Sequence, residues 1–209
     1  LASVLGYRLG EMNATATVGV ILYRRGQLAE ALEHLERSVR LALDLGHRAT
    51  ENTARLLAST ALVDMGRSAE ASFHLERVLD QTRADGATRT EAGARLRLAY
   101  LQRANHDHVA AAASAELALA TFQSLGDGAH TAMARAEIGR CIGRRGDVEL
   151  ARHTLDEAID ALRAVGERTQ WLTTRLDRAR LDAAGVTAEE RLREATAVRD
   201  KASASGVDA

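Results

Sequence analysis

The stretch Ala14–Gly46 reads ATATVGVILYRRGQLAEALEHLERSVRLALDLG. Its apolar residues Ala14, Val18, Ile21 and Leu22 follow helical spacing to about Arg24, and Gly26 then permits a turn. From about Leu28 a second stripe, Ala31, Leu35, Val39 and Ala42, continues to Leu45 and stops at Gly46. A glycine there can close a helix in the left-handed conformation without a Cβ penalty. The stretch therefore predicts a helix, a turn and a second helix, called A and B below. A lone pair of this size cannot bury its own apolar stripe, so the segments around it decide the fold.

Moving outward by steps of 40 residues, the chain matches itself. Gly46, Gly86, Gly126 and Gly166 form one row, which reaches back to Gly6 and forward to Gly206. Ala31, Ala71, Ala111 and Ala151 form a second, and Ala14, Ala54, Ala94 and Ala134 a third. Larger apolar residues keep the step as Val39, Leu79, Leu119 and Ile159, as Val18, Ala58, Leu98 and Ile138, and as Ile21, Ala61, Leu101 and Cys141. These rows read as core, with the alanines marking close helix crossings. The A–B turn recurs at Gly66 and Gly146, and one place early at Gly185. The third unit has Asn105-His106-Asp107 there, with Asn105 expected to take the left-handed role. Thr187 and Glu190 have the spacing of a capping box for the last helix.

The expected architecture is all-α, a right-handed α-solenoid of antiparallel helix pairs with about five repeats in one domain, 1–209. Its frame is 1–10 as the end of a preceding repeat, full repeats at 11–46, 47–86, 87–126 and 127–166, and a weaker unit at 167–209. Composition agrees: there is no proline, 46% of residues are apolar, 3% are aromatic, and 27% are charged and spread along the length. A net charge of −1 gives no electrostatic reason to expect nucleic acid or an anionic membrane as the main partner. A single cysteine, Cys141, allows no internal disulfide and suits a cytoplasmic setting. No apolar run is long enough to span a bilayer. Beginning at Leu1, the chain reads as a piece of a longer polypeptide.

The repeat resembles the tetratricopeptide repeat, which places a small and a large apolar residue in helix A, a glycine at the turn, and small, bulky and small residues in helix B. In the first full unit these are Gly19, Leu22, Gly26, Ala31, Leu35 and Ser38; in the fourth they are Gly139, Ile142, Gly146, Ala151, Leu155 and Ala158. The second unit keeps Leu62, Gly66, Ala71, Leu75 and Val78 with Ser59 for the helix A glycine, and the third keeps chiefly Ala111 and Ala118. The usual proline at the repeat end is absent, and the longer step implies longer helices. Lengthened units with Leu45-Gly46 and Leu125-Gly126 ends look like the arrays of bacterial multidomain regulators, of peptide-sensing regulators and of eukaryotic polarity scaffolds. The resemblance implies a non-catalytic protein- or peptide-binding module, with self-association or service as an accessory domain of a catalytic protein as the alternatives.

In such arrays helix A lines the concave side. With Ala14, Val18 and Ile21 as the buried stripe, the opposite flank of the first helix A carries Asn13, Val20, Tyr23 and Arg24. The repeat step extends it to Thr60 and Asp64, to Arg97, Tyr100 and Arg103, to Arg140 and Arg144, and to Arg180. The expected groove becomes basic toward its C-terminal half and could hold an acidic or carboxylate-bearing peptide through guanidinium forks. The plain alternative is that these arginines pair with neighbouring Asp and Glu. Ala16, Val20, Leu56 and Thr60 stand where chaperone-binding arrays place a basic, asparagine-rich clamp, which argues against that partner.

No metal or cofactor is expected. His106 and His108 flank Asp107 in a turn, where imidazoles need not converge, and His34 and His74 are equivalent positions of the repeat. Cys141 lies in an apolar row and reads as a small buried hydrophobe. The glycines recur at the repeat period and form no phosphate-binding loop. Trp171 opens the last helix A, either as an exposed anchor or packed near the end of the array.

Overall fold

The computed structural model describes residues 2–183. It contains α1 (Ala2–Arg24), α2 (Leu28–Asp44), α3 (Arg48–Asp64), α4 (Ser68–Asp85), α5 (Thr88–Ala104), α6 (His108–Ser124), α7 (Gly128–Arg144) and α8 (Val148–Ala164). A ninth helix, α9, begins at 168 and continues through 183. Odd-numbered helices are the A helices and even-numbered ones the B helices, and together they form an all-α solenoid of about five repeats. Gly185, Gly206 and the Thr187–Glu190 capping spacing lie outside the described residues.

Left-handed residues fall on the repeat rows. Gly26, Gly66 and Gly146 have φ of 78°, 74° and 95°, and in the third unit the role belongs to His106 at φ 65° rather than to Asn105, whose φ is −84°. The position is fixed by hydrogen bonding. In the first unit the N–H of Gln27 donates to the carbonyl of Leu22 at 3.0 Å, and in the third the N–H of Asp107 donates to that of Gln102 at 2.9 Å. With Asn105 as the C-cap, the residue just before the donor is the one left to turn left-handed, so the strain falls on His106. Asp107 next caps α6, its carboxylate accepting from the N–H of Ala110 at 3.0 Å.

The alanine rows are core. Ala31, Ala71, Ala111 and Ala151 are fully buried, as are Ala54, Ala94 and Ala134. The first unit departs from the expected stripe: Ala14 is exposed, and Val18 and Ile21 are 39% and 46% exposed, while Met12, Thr15 and Gly19 are buried. In later units the equivalent face packs on the preceding pair, as Ala58 and Leu62 of α3 do on Leu32 and Leu35 of α2. Among the described residues no earlier helix covers α1, so its stripe faces outward. Gly6 also departs from its row, because α1 runs straight through it.

Across successive units, α1 touches α3, α3 touches α5 and α5 touches α7. No such contact joins α2 to α4, α4 to α6 or α6 to α8 among the described residues. An array whose A helices alone approach one another curves toward them, so the A helices line the inner side.

Candidate functional site

On the inner side of the first three units, the Tyr23 hydroxyl at the end of α1 donates to Asp64 Oδ2 at the end of α3, 2.8 Å away. Tyr100 of α5 donates to the other oxygen of the same carboxylate. One residue from each of three units thus meets at Asp64. Burial, and then the bond to Asp64, raise both phenols well above the usual tyrosine range, with the Arg97 guanidinium acting the other way on Tyr23. Arg97, on the same side of α5, donates from Nε to the carbonyl of Leu56 at 3.0 Å and from Nη1 to that of Gly93 at 3.2 Å.

The C-terminal half is organised by two carboxylates. Glu137 of α7 accepts from Arg103 Nε of α5 and from Arg140 Nη1 at 3.1 Å. Arg140 reaches on to α9, donating from Nε to Asp177 at 2.6 Å and from Nη2 to the Thr174 hydroxyl at 3.3 Å. Burial opposes the Arg140 charge, but Glu137 and Asp177 outweigh it and hold its pKa above the usual arginine range. A pocket of about 230 Å³ opens beside this chain of charges. Its apolar wall is made by Gly139, Gly143, Leu155 and Leu181, and Arg103, Arg140, Arg144 and Arg180 line it with Asp177.

The pocket exists because α7 is narrow there. A Cβ on Gly139 would stand 2.9 Å from Leu155 Cγ, and one on Gly143 would stand 3.1 Å from Leu181 Cδ1. Arg144 and Arg180 are exposed; Arg180 leans on Asp177 at 3.6 Å, and Arg144 has no ion pair among the described residues. Four arginines against Glu137 and Asp177 leave two positive charges in excess around the opening.

The structure therefore gathers Tyr23, Asp64 and Tyr100 into one cluster, sets Arg97 beside it, and gathers Arg103, Arg140, Arg144 and Arg180 around one pocket. Asn13, Val20, Arg24 and Thr60 join neither group: Asn13 and Arg24 are exposed, Val20 is half-buried, and the Thr60 hydroxyl bonds the carbonyl of Leu56 in its own helix at 3.1 Å. The groove expected to become basic toward its C-terminal half carries that charge unevenly. Arg103 and Arg140 are already paired with carboxylates and Arg180 shares Asp177 with Arg140, which leaves Arg144 as the lining arginine with no ion pair among the described residues. Sequence reasoning passed over Glu137 and Asp177, although they occupy equivalent positions of consecutive units and each lies three residues before an arginine of the flank.

Elsewhere, His106 and His108 meet edge to face with centroids 6.1 Å apart, and no group of three or more metal-ligating side chains converges among the described residues. His74 is buried with Arg55 Nη1 at 3.5 Å from its Nδ1. Trp171 is half-buried, with the Arg175 guanidinium 4.6 Å from its ring centroid. No described helix is long and apolar enough to cross a membrane.

Residues 11–84 match the tetratricopeptide repeat family. No curated protein matches the chain in sequence. Among solved structures, a Rap protein complexed with competence and sporulation factor is similar with a TM-score of 0.71 and 14% identity, over 80% of this chain and 47% of that one. The present chain thus spans about half the length of that protein. The nearly identical repeats of a kinesin light chain from Podosopora anserina give a TM-score of 0.61 at 18% identity, covering 94% and 97% of the two chains. BtubC from P. vanneervenii gives 0.64 at 17%, covering 93% and 81%. At these identities the likeness is one of fold. The period and the left-handed turns give the fold of a tetratricopeptide-like repeat solenoid, and the family match itself lies on the first units, residues 11–84.

Proposed function

We propose that this array is a non-catalytic module that binds a protein or peptide along its inner, A-helix side, and that acidic side chains of the partner seat at the pocket between α7 and α9. The observation that carries this reading is the excess of positive charge at the mouth of a pocket with an apolar wall, where Arg144 has no ion pair among the described residues and Arg180 only shares Asp177 with Arg140. Guanidinium forks over an apolar floor suit a carboxylate carried on a short aliphatic stem. A Rap protein of the same fold forms a complex with competence and sporulation factor, which supports a ligand-receiving role here and, further, a regulatory or sensor domain of a larger bacterial cytoplasmic protein.

The test is titration with a hexaglutamate peptide blocked at both ends. Arg144→Ala with Arg180→Ala is expected to weaken binding about three- to tenfold, as loss of two part-exposed charge contacts implies. Unchanged affinity would move the site elsewhere. Arg140 is unsuited to this test because it joins Glu137 of α7 to Asp177 of α9, so its removal would also disturb the packing of the two helices.

One observation favours a second reading, self-association. Val18 and Ile21 are exposed on α1 where the second unit buries Ala58 and Ala61 completely. Val18→Asp with Ile21→Asp should convert any dimer to monomer in sedimentation; a wild-type chain that is monomeric at all concentrations removes this reading.

A further inference from the structure

Arg97 is an exception among the arginines. Of the described arginines that are not exposed, Arg8, Arg55, Arg95, Arg103, Arg135, Arg140, Arg152 and Arg178 each pair with a carboxylate; Arg97 alone does not. Its bonds go to the backbone carbonyls of Leu56 and Gly93. Those carbonyls have no need of it: both lie inside α-helices, and that of Leu56 also accepts from the Ser59 and Thr60 hydroxyls at 2.8 and 3.1 Å. Burial pulls the guanidinium below the usual arginine range, yet an arginine stays charged even so. Partly shielded from water, the guanidinium has no carboxylate within ion-pair distance among the described residues, an imbalance that an incoming anion would relieve.

The repeat sharpens the anomaly. Residues 97, 137 and 177 are one row, and its next two members are the carboxylates Glu137 and Asp177 that tie unit to unit. The third unit inverts the charge of that row. No carboxylate among the described residues pairs with it: Asp64, the acid of the adjacent cluster, makes its bonds to Tyr23 and Tyr100 and none to Arg97. Arg97 Nε and Nη1 are fixed by the two helices, and nothing among the described residues bonds Nη2. The guanidinium is thus held rigidly with one nitrogen uncommitted, on the inner side, beside two phenols.

We propose that Arg97 is a second anion seat, taking a carboxylate side chain of the same bound partner whose other acidic residues meet Arg144 and Arg180. This deepens the inner-face reading and rests on it. The seat lies one unit toward the N-terminus from the basic pocket, so a partner that fills both carries at least two acidic positions separated along an extended segment.

The experiment uses the whole chain, with side-chain guanidinium resonances followed in nitrogen-15-labelled protein. Hexaglutamate blocked at both ends is titrated first, then hexaglutamine with a free C-terminal carboxylate. The account expects the Arg97 Nε–H resonance to shift with the first and the affinity to fall about tenfold in Arg97→Gln, the loss of one charge-assisted bond in a poorly solvated site. An effect with the second peptide alone would overturn the side-chain assignment in favour of a terminal carboxylate. Full affinity in Arg97→Gln with loss in Arg144→Ala/Arg180→Ala would overturn the seat and leave the proposed function standing. Absence of binding by the wild type would overturn both. Should Arg97→Gln fail to fold, the wild-type resonance decides: an unmoved Arg97 signal at saturating hexaglutamate rejects the seat.

Discussion

Gly139 and Leu155 approach so closely that a Cβ on the glycine would stand 2.9 Å from both Cγ and Cδ2 of the leucine. The first unit repeats the relationship, where a Cβ on Gly19 would stand 2.8 Å from Leu35 Cγ. In the third unit the equivalent pair is Ala99 and Ala115, both fully buried in one cluster. There the larger helix A residue is matched by a smaller helix B residue, whereas the second unit sets Ser59 against Leu75, both buried, so the crossing keeps a small helix A residue rather than a fixed pair. Gly139→Ala is expected to cost about 1–3 kcal/mol by overpacking. Combined with Leu155→Ala, which leaves a cavity, it should cost clearly less than the sum of the two single changes. Urea melts measure this, and strict additivity would show that the pair is not coupled.

His74 gives the array a weak side in acid. Burial first, and the neighbouring Arg55 charge second, lower its pKa, against the smaller opposing effect of Glu70. The unfolded chain therefore binds a proton here more readily than the folded one, and stability falls as pH drops below the ordinary histidine value of about 6.5. Glu70, Asp127 and Asp182, all held below the usual carboxylate range, add their losses only at more acidic pH. The urea midpoint should drop between pH 7.5 and 5.5, and His74→Gln should flatten that drop. An equal drop in the variant would assign it to other groups.

Much of the fold was legible because a solenoid repeats its contacts as it repeats its residues: one helix pair and a step of 40 residues locate the turns and the alanine crossings. The reading failed where repetition ends. Val18 and Ile21 carry the core pattern but lie on the first helix, with no described neighbour to bury them. At the third turn, propensity favoured Asn105, whereas the hydrogen-bonding register placed the left-handed conformation on His106. The site was half legible. Helical spacing put the arginines on one face, but their neutralisation depends on which carboxylate stands opposite in the next unit, as Asp177 does for Arg140 across 37 residues. That relation could have been found by stepping the acids as well as the arginines.

Cys141 is expected to behave as core. It is fully buried, and burial first, then Glu137, push its thiol up to about 11. At pH 8 a thiol reagent should label the native chain about a hundredfold more slowly than the urea-unfolded chain, since attack needs both exposure and the thiolate. Comparable rates would mean that α7 opens readily from its neighbours.

Whether the A-helix side receives an acidic partner is decided by backbone amide shifts during titration with blocked hexaglutamate. Perturbations are expected to concentrate on α5, α7 and α9 near Arg97, Arg144 and Arg180 and to diminish as salt is added. Perturbations centred on the B helices α2, α4, α6 and α8, or none at saturating peptide, would contradict an acidic partner on that side.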